Sequence, residues 1–142
     1  MKKFLIIALI SVQGFAQGLF EVQTSSERIG INEILRVDFI SHDDGLNFKA
    51  PSFEGFIVKE GPVTSQYESK VNGKLKYNFA YSYLLQPQKK GAVTIGAASL
   101  EISEEVFKTK PVSIMVTDAV KKPKPQSLAP EIHPGYLETD DE

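Results

Sequence analysis

The chain's two histidines, His42 and His133, are the first residues to weigh for chemistry, because histidine titrates near neutral pH and commonly ligates metals. They lie in different regions, His133 in a polar C-terminal stretch, whereas a metal site needs several converging ligands with supporting partners. No metal site is expected. The run His42-Asp43-Asp44-Gly45-Leu46-Asn47 is oxygen-rich, but it lacks the acidic spacing and distal bidentate glutamate of an EF-hand loop. It reads as a turn in which Asp and Asn side chains bond to nearby backbone. Glu104-Glu105 pairs two carboxylates, yet glycosidase carboxylates face each other across a cleft, about 5 to 9.5 Å apart. Adjacent residues in a strand point apart instead. Serines are plentiful, but no Gly-x-Ser-x-Gly elbow occurs, and no Ser/His/Asp set assembles around His42. No catalytic, metal-binding or cofactor-binding residue emerges, and a non-catalytic protein is expected.

The remaining candidates shape or expose a binding surface. Gly61-Pro62-Val63-Thr64-Ser65 and Asn72-Gly73 are turn signals, since glycine and proline fix the chain path. Loops of this kind are also where binding function tends to lie on rigid scaffolds. Gly61, Pro62, Ser65, Asn72 and Gly73 are therefore the candidate site, as structural turns first and partner contacts second. Tyr77, Tyr81 and Tyr83 would make a carbohydrate- or surface-binding platform if exposed. Their two-residue spacing beside Leu75 and Phe79 reads instead as a core stripe.

The elements that must position these residues are short strands separated by turns. Phe20, Val22 and Thr24 alternate with polar residues, and Ile34 to Ile40 has one apolar face, Leu35, Val37 and Phe39. Phe56 to Val58 is a short segment ended by Gly61-Pro62, and Val93 to Ile95 and Leu100 to Ile102 are two more. Val106 to Val116 reads as the last strand, and Pro111 within it predicts an edge position or a bulge. Such an edge would be open to pairing with a partner. The strongest strand is Lys74 to Leu85, with Leu75, Tyr77, Phe79, Tyr81, Tyr83 and Leu85 on one face. Asn72-Gly73 before it is a hairpin signal. A two-residue loop would set Gln66, Glu68 and Lys70 on the aromatic face, so a three-residue loop or an adjacent bulge is predicted. If the two-residue register holds, the aromatic stripe serves something other than simple core packing. No segment has sustained helical spacing. The pattern predicts an all-β, Ig-like antiparallel β-sandwich, with a small barrel as the alternative.

The whole chain sets the compartment. Lys2 and Lys3 precede an apolar run from Phe4 to Val12, and Gly14 and Ala16 match the small-residue pattern of signal-peptidase cleavage. Residues 1–16 are expected to be a signal peptide cleaved after Ala16, 17–118 the sandwich domain, and 119–142 a Pro/Lys-rich then acidic linker or tail. The apolar run is shorter than the roughly 20 residues a bilayer-spanning helix needs. No later stretch is apolar enough to span, so no transmembrane helix is expected in the mature chain. With no cysteine there is no disulfide, no thiolate metal site and no lipidated cysteine. The net charge of −2 offers no basic field for nucleic acid. The tail has little apolar area to bury and should be extended or disordered.

Asn47-Phe48-Lys49-Ala50-Pro51-Ser52-Phe53-Glu54-Gly55-Phe56 leads into Gly61-Pro62-Val63-Thr64-Ser65 and Asn72-Gly73. Tyr83-Leu84-Leu85-Gln86-Pro87, Gly91-Ala92-Val93-Thr94-Ile95 and Lys108-Thr109-Lys110-Pro111-Val112-Ser113-Ile114 follow. In order and spacing this resembles the N-terminal region of the BatD-like family, the Bacteroides aerotolerance or oxygen-tolerance proteins. The likeness covers nearly all of Phe20 to Val116. It implies a Bacteroidota cell-envelope protein, periplasmic or envelope-associated, with Ig-like domains and no catalytic motif or cofactor to carry over. Relatives are commonly encoded with von Willebrand A-type and tetratricopeptide-repeat proteins, so the resemblance implies such partners in a membrane-associated complex. Members are typically longer, with further β-domains and a C-terminal membrane helix, and this chain stops in what resembles the linker to the next domain. The expected function is a protein-binding module of the envelope, and the alternative is a secreted carbohydrate- or surface-binding sandwich.

Overall fold

The computed structural model describes residues 19–128. Within them the period-two runs fold as ten strands and no helix. These are β1 (Phe20–Thr24), β2 (Arg28–Gly30), β3 (Leu35–Ser41), β4 (Leu46–Lys49) and β5 (Phe56–Val71). Then come β6 (Lys74–Pro87), β7 (Gly91–Ile95), β8 (Ser99–Ile102), β9 (Glu105–Lys108) and β10 (Val112–Thr117). One antiparallel sheet has the order β1-β3-β6-β5. Facing it are two three-stranded sheets, β2-β10-β7 and β4-β8-β9. The Thr109 amide donates to the Ala98 carbonyl (3.0 Å) and the Ala98 amide to Thr109 Oγ1 (2.9 Å), which joins these two sheets. β7 with β8, and β9 with β10, are thus two interrupted strand paths. Counted so, the order is that of a constant-type immunoglobulin sandwich, A-B-E-D over C-F-G. β2 adds a parallel pairing to β10. The sandwich predicted from the sequence is the fold; β1 and β5 both end the four-stranded sheet, so it does not close into a barrel.

The alternation that makes the strands also makes the core. Leu35, Val37 and Phe39 of β3 and Tyr83 and Leu85 of β6 pack against Val93, Ile95, Leu100, Ile114 and Val116 from the facing layer. Phe39 sits at the centre, with ring centroids of Phe48, Tyr83 and Phe53 at 5.8, 6.0 and 6.3 Å. In a chain without disulfides this burial is the main stabilising term, about 1.5–3 kcal/mol for each large apolar side chain fully removed from water.

Two expectations need correction. Val106 to Val116 is not one strand, because Thr109, Lys110 and Pro111 separate β9 from β10. Pro111 has no N–H to give a ladder, and Thr109 turns its hydroxyl into the backbone pairing. Its two parts differ in position: β9 ends the β4-β8-β9 sheet, and β10 lies between β2 and β7. β2 covers only Met115 to Thr117, so Val112 to Ile114, next to Pro111, pair with β7 on one side and with no strand on the other among the described residues, as expected beside a proline. Past residue 118, where a linker is expected to begin, the chain keeps its contacts with the sandwich. Asn32 Nδ2 donates to the Val120 carbonyl and its Oδ1 accepts from the Val120 amide, both at 2.9 Å. Arg36 Nη1 donates to the Ser127 carbonyl (2.7 Å), and Leu128 is buried. The expected leader, the acidic end and His133 lie outside the described residues.

Candidate functional site

The five candidate residues all fall on the β5–β6 hairpin. Asn72 and Gly73 form its tip, with φ of 53° and 76°. Positive φ at both central residues is the pattern of a type I′ turn, whose twist suits a two-residue hairpin loop. The loop is accordingly two residues long, with Val71 opposite Lys74, Glu68 opposite Tyr77 and Gln66 opposite Phe79. The three-residue loop predicted from the sequence is overturned. That prediction assumed a core along the whole stripe, and the core reaches only its base. β3 pairs with β6 from Phe79 to Leu85 and no further. No strand but β5 pairs with Lys74 to Asn78 among the described residues, and past the buried Asn78 the exposed residues Lys74 to Tyr77 extend the hairpin about 14 Å at some 3.4 Å per residue.

Exposure follows this geometry. Leu85 and Tyr83 are buried, Tyr81 and Phe79 half-buried, and Tyr77 and Leu75 are 45% and 49% exposed. Tyr81 stacks on Phe48 with centroids 4.0 Å apart. Burial pushes the phenols of Tyr81 and Tyr83 above the usual range, with Asp44 adding to the shift at Tyr81. The three tyrosines therefore do not form one exposed platform. Tyr77 alone stands out, beside Leu75, on a face it shares with Glu68 and Lys70.

The Gly61-Pro62 pair does not end a strand. β5 runs through it, with register shifts between Val58 and Glu60 and between Glu60 and Val63, and the Gly61-Pro62 bond is cis. Gly61 has φ of 116°, and a β-carbon there would lie 2.6 Å from the Ser82 carbonyl oxygen and 2.8 Å from Tyr83 Cδ1. Only glycine lets β5 approach β6 this closely. Ser65 is exposed, opposite Ala80. What the sequence did not signal is the length of β5: Ile57, Val58 and Val63 are also exposed along it, and no further strand pairs with it among the described residues.

The polar residues are spent on structure. On the outer face of the four-stranded sheet, Asp38 accepts from Arg36 Nε (3.1 Å), from Arg36 Nη2 (3.2 Å) and from the Ser82 hydroxyl. Tyr67 lies over this face, and its phenol is held above the usual range by burial and then by Asp38. His42 Nδ1 bonds to Asn78 Oδ1, which requires the proton on Nδ1, and Asn78 Nδ2 donates to Ser69 Oγ (2.9 Å). The turn after His42 is organised by Ser41, whose hydroxyl donates to the Asp43 carbonyl and accepts from its amide. That role was expected of Asp and Asn side chains; Asn47 Nδ2 instead donates to Glu101 Oε2 (2.9 Å). Glu104 and Ser103, with φ of 66° and 50°, make the β8–β9 turn, and Glu105 opens β9. A shallow depression of about 400 Å³ between β4 and β8 is floored by Leu100 and rimmed by Lys49 and Glu101. Among the described residues no group of three or more His, Cys, Asp or Glu converges, and no helix is long and apolar enough to cross a membrane.

No curated protein matches the chain. The family described as "BatD DUF11 like domain" matches residues 22–116, from the third residue of β1 to the fifth of β10. That span is well over half of the 142 residues and takes in nearly all of the sandwich, and the chain belongs to the BatD family.

Proposed function

We propose that this protein is a non-catalytic, protein-binding module of the bacterial cell envelope, exported by the leader at residues 1–16 and working within a membrane-associated complex. One observation carries the reading. The hairpin projects past the sheet and holds Leu75 and Tyr77 about half exposed on one face, where they add nothing to the core. A projecting two-stranded arm is costly to keep ordered, since an isolated hairpin is marginally stable at best in water. Its aromatic and aliphatic side chains, rimmed by Glu68 and Lys70, have the make-up of an interface centre, where aromatics are enriched and charge is kept to the rim. The partners implied by the family resemblance are von Willebrand A-type and tetratricopeptide-repeat proteins.

The test is co-purification from native envelope extract of the von Willebrand A-type protein encoded with this chain. Leu75→Asp with Tyr77→Ser should abolish its recovery while leaving the circular dichroism spectrum and melting temperature of the sandwich unchanged. Undiminished recovery by the double variant would refute the hairpin face as the contact. The carbohydrate-binding reading keeps only Tyr77 of its three tyrosines, and glycan-array binding lost on Tyr77→Ala would restore it.

A further inference from the structure

Among the described residues no strand covers the outer edge of β5, and that edge is irregular along one half and regular along the other. Natural sheets protect edges with lysine, proline and bulges. Lys59, Pro62 and both register shifts fall between Phe56 and Val63. From Val63 to Val71 the pairing with β6 is unbroken over nine residues, with neither proline nor glycine. In the ladder that a two-residue loop closes, Val71 and Lys74 form a hydrogen-bonded pair, and such pairs alternate along the strand. The backbone groups of Lys70, Glu68 and Gln66 are therefore directed away from β6, to the open side.

We infer that this open half-edge pairs antiparallel with the same edge of a second copy of the chain, about a twofold axis through Ser69. The register rests on charge. Centred there, Glu68 of each copy faces Lys70 of the other, giving two opposite-charge cross-strand pairs, while Gln66 faces Asn72 and Tyr67 faces Val71. Both members of each Glu68–Lys70 pair direct their backbone groups outward, so the register that matches charge also matches hydrogen bonds. A twofold interface of this kind is self-complementary and closed. The alternative centre at Tyr67 sets Glu68 opposite Gln66 and Lys70 opposite Thr64, and so forms no opposite-charge pair. The dimer joins two four-stranded sheets into one and places both Leu75–Tyr77 stripes on the same side. The inference goes beyond the proposed partner binding, because it uses the edge of the hairpin and not its face.

Sedimentation of the purified chain from Gln17 onward tests it. The wild-type chain should form a concentration-dependent dimer. Glu68→Lys and Lys70→Glu each turn both attractive pairs repulsive and should weaken the dimer by roughly tenfold or more. The double variant, with the charges exchanged, should recover wild-type affinity. Glu68 and Lys70 are exposed, and an unchanged circular dichroism spectrum establishes that each variant is folded. A wild-type chain that stays monomeric at millimolar concentration overturns the inference. So does a dimer indifferent to the single reversals, or one that the double exchange fails to restore.

Discussion

Two glycines on one hairpin should respond very differently to the same methyl group. At Gly73 a β-carbon meets nothing within 4 Å, so Gly73→Ala carries only the cost of a left-handed φ of 76° on an L-residue, about 1–2 kcal/mol. At Gly61 the φ is 116°, and the added carbon falls 2.6, 2.8 and 3.0 Å from the Ser82 carbonyl oxygen, Tyr83 Cδ1 and Tyr83 Cα. Two of those atoms are backbone of β6 and cannot swing aside. Overpacking of that kind costs about 1–3 kcal/mol beyond the backbone term, so Gly61→Ala should lose about 3–4 kcal/mol in all. Urea denaturation followed by circular dichroism measures both variants. The expected gap between them is about 2 kcal/mol, or about 10 °C in melting temperature for a domain of this size. If Gly61→Ala is no more damaging than Gly73→Ala, β5 is not held against β6 at this point, and the account of its register shifts fails.

Three further outcomes follow from the geometry. Replacing Ser103-Glu104 by Asn-Gly relieves positive φ at two residues ill-suited to it and should stabilise the chain by about 1 kcal/mol, read as a raised urea midpoint. Asp38→Ala removes the acceptor of two Arg36 bonds and of the Ser82 hydroxyl, with the Arg36 and Asp38 side chains only 14% and 20% exposed; it should cost about 2–3 kcal/mol, and Ser82→Ala less. The Glu33 carboxylate is held below its usual range by the amide of Gly30 (2.9 Å) and then by that of Lys124 (3.3 Å). A depressed folded-state pKa stabilises above the unfolded value and is lost as pH falls through the folded value, so acidification through the carboxylate range should lower the protection of the Lys124 amide relative to its intrinsic exchange rate at each pH. Glu33→Gln should lower that protection at neutral pH and remove its acid-dependent step.

The sandwich was legible because its signals are local and repeated. Leu35, Val37 and Phe39 alternate with polar neighbours, and a strand with one apolar face has to turn that face inward wherever the sheet lies. Asn72-Gly73 likewise announced a hairpin. What could not be read was how far the core extends along a strand. The stripe from Leu75 to Leu85 is uniform in sequence but graded in burial, because β3 stops pairing at Phe79 and no residue of β6 records where its neighbour ends. The Gly61-Pro62 pair misled for a related reason. Glycine and proline mark a departure from regular backbone, and here the departure is a set of register shifts inside a long strand, not its end.

The hairpin register binds these findings together. Shifting a ladder by one residue exchanges the two faces of a strand. At the start of β5 such a shift would turn Phe56 out of the core, where it is buried. Beyond Asn78, Lys74 to Tyr77 are exposed on both faces of β6, and turn chemistry chooses the register. Asn72-Gly73 chooses the one that sets Glu68 and Lys70 beside Tyr77 and Leu75. The two one-residue shifts near Gly61 cancel in side-chain parity, so even-numbered residues of β5 stand opposite odd-numbered residues of β6 both at Phe56–Pro87 and at Glu68–Tyr77. The arm's mixed face is then a product of the turn, and changing Asn72-Gly73 to a three-residue loop should move the charged residues to the opposite face without unfolding the sandwich. Two-dimensional NMR cross-strand contacts, with Tyr67 facing Phe79 in place of Asn78, would establish the exchange. Retention of the Tyr67–Asn78 pairing would show that the register is fixed from the base of the hairpin, not from its tip.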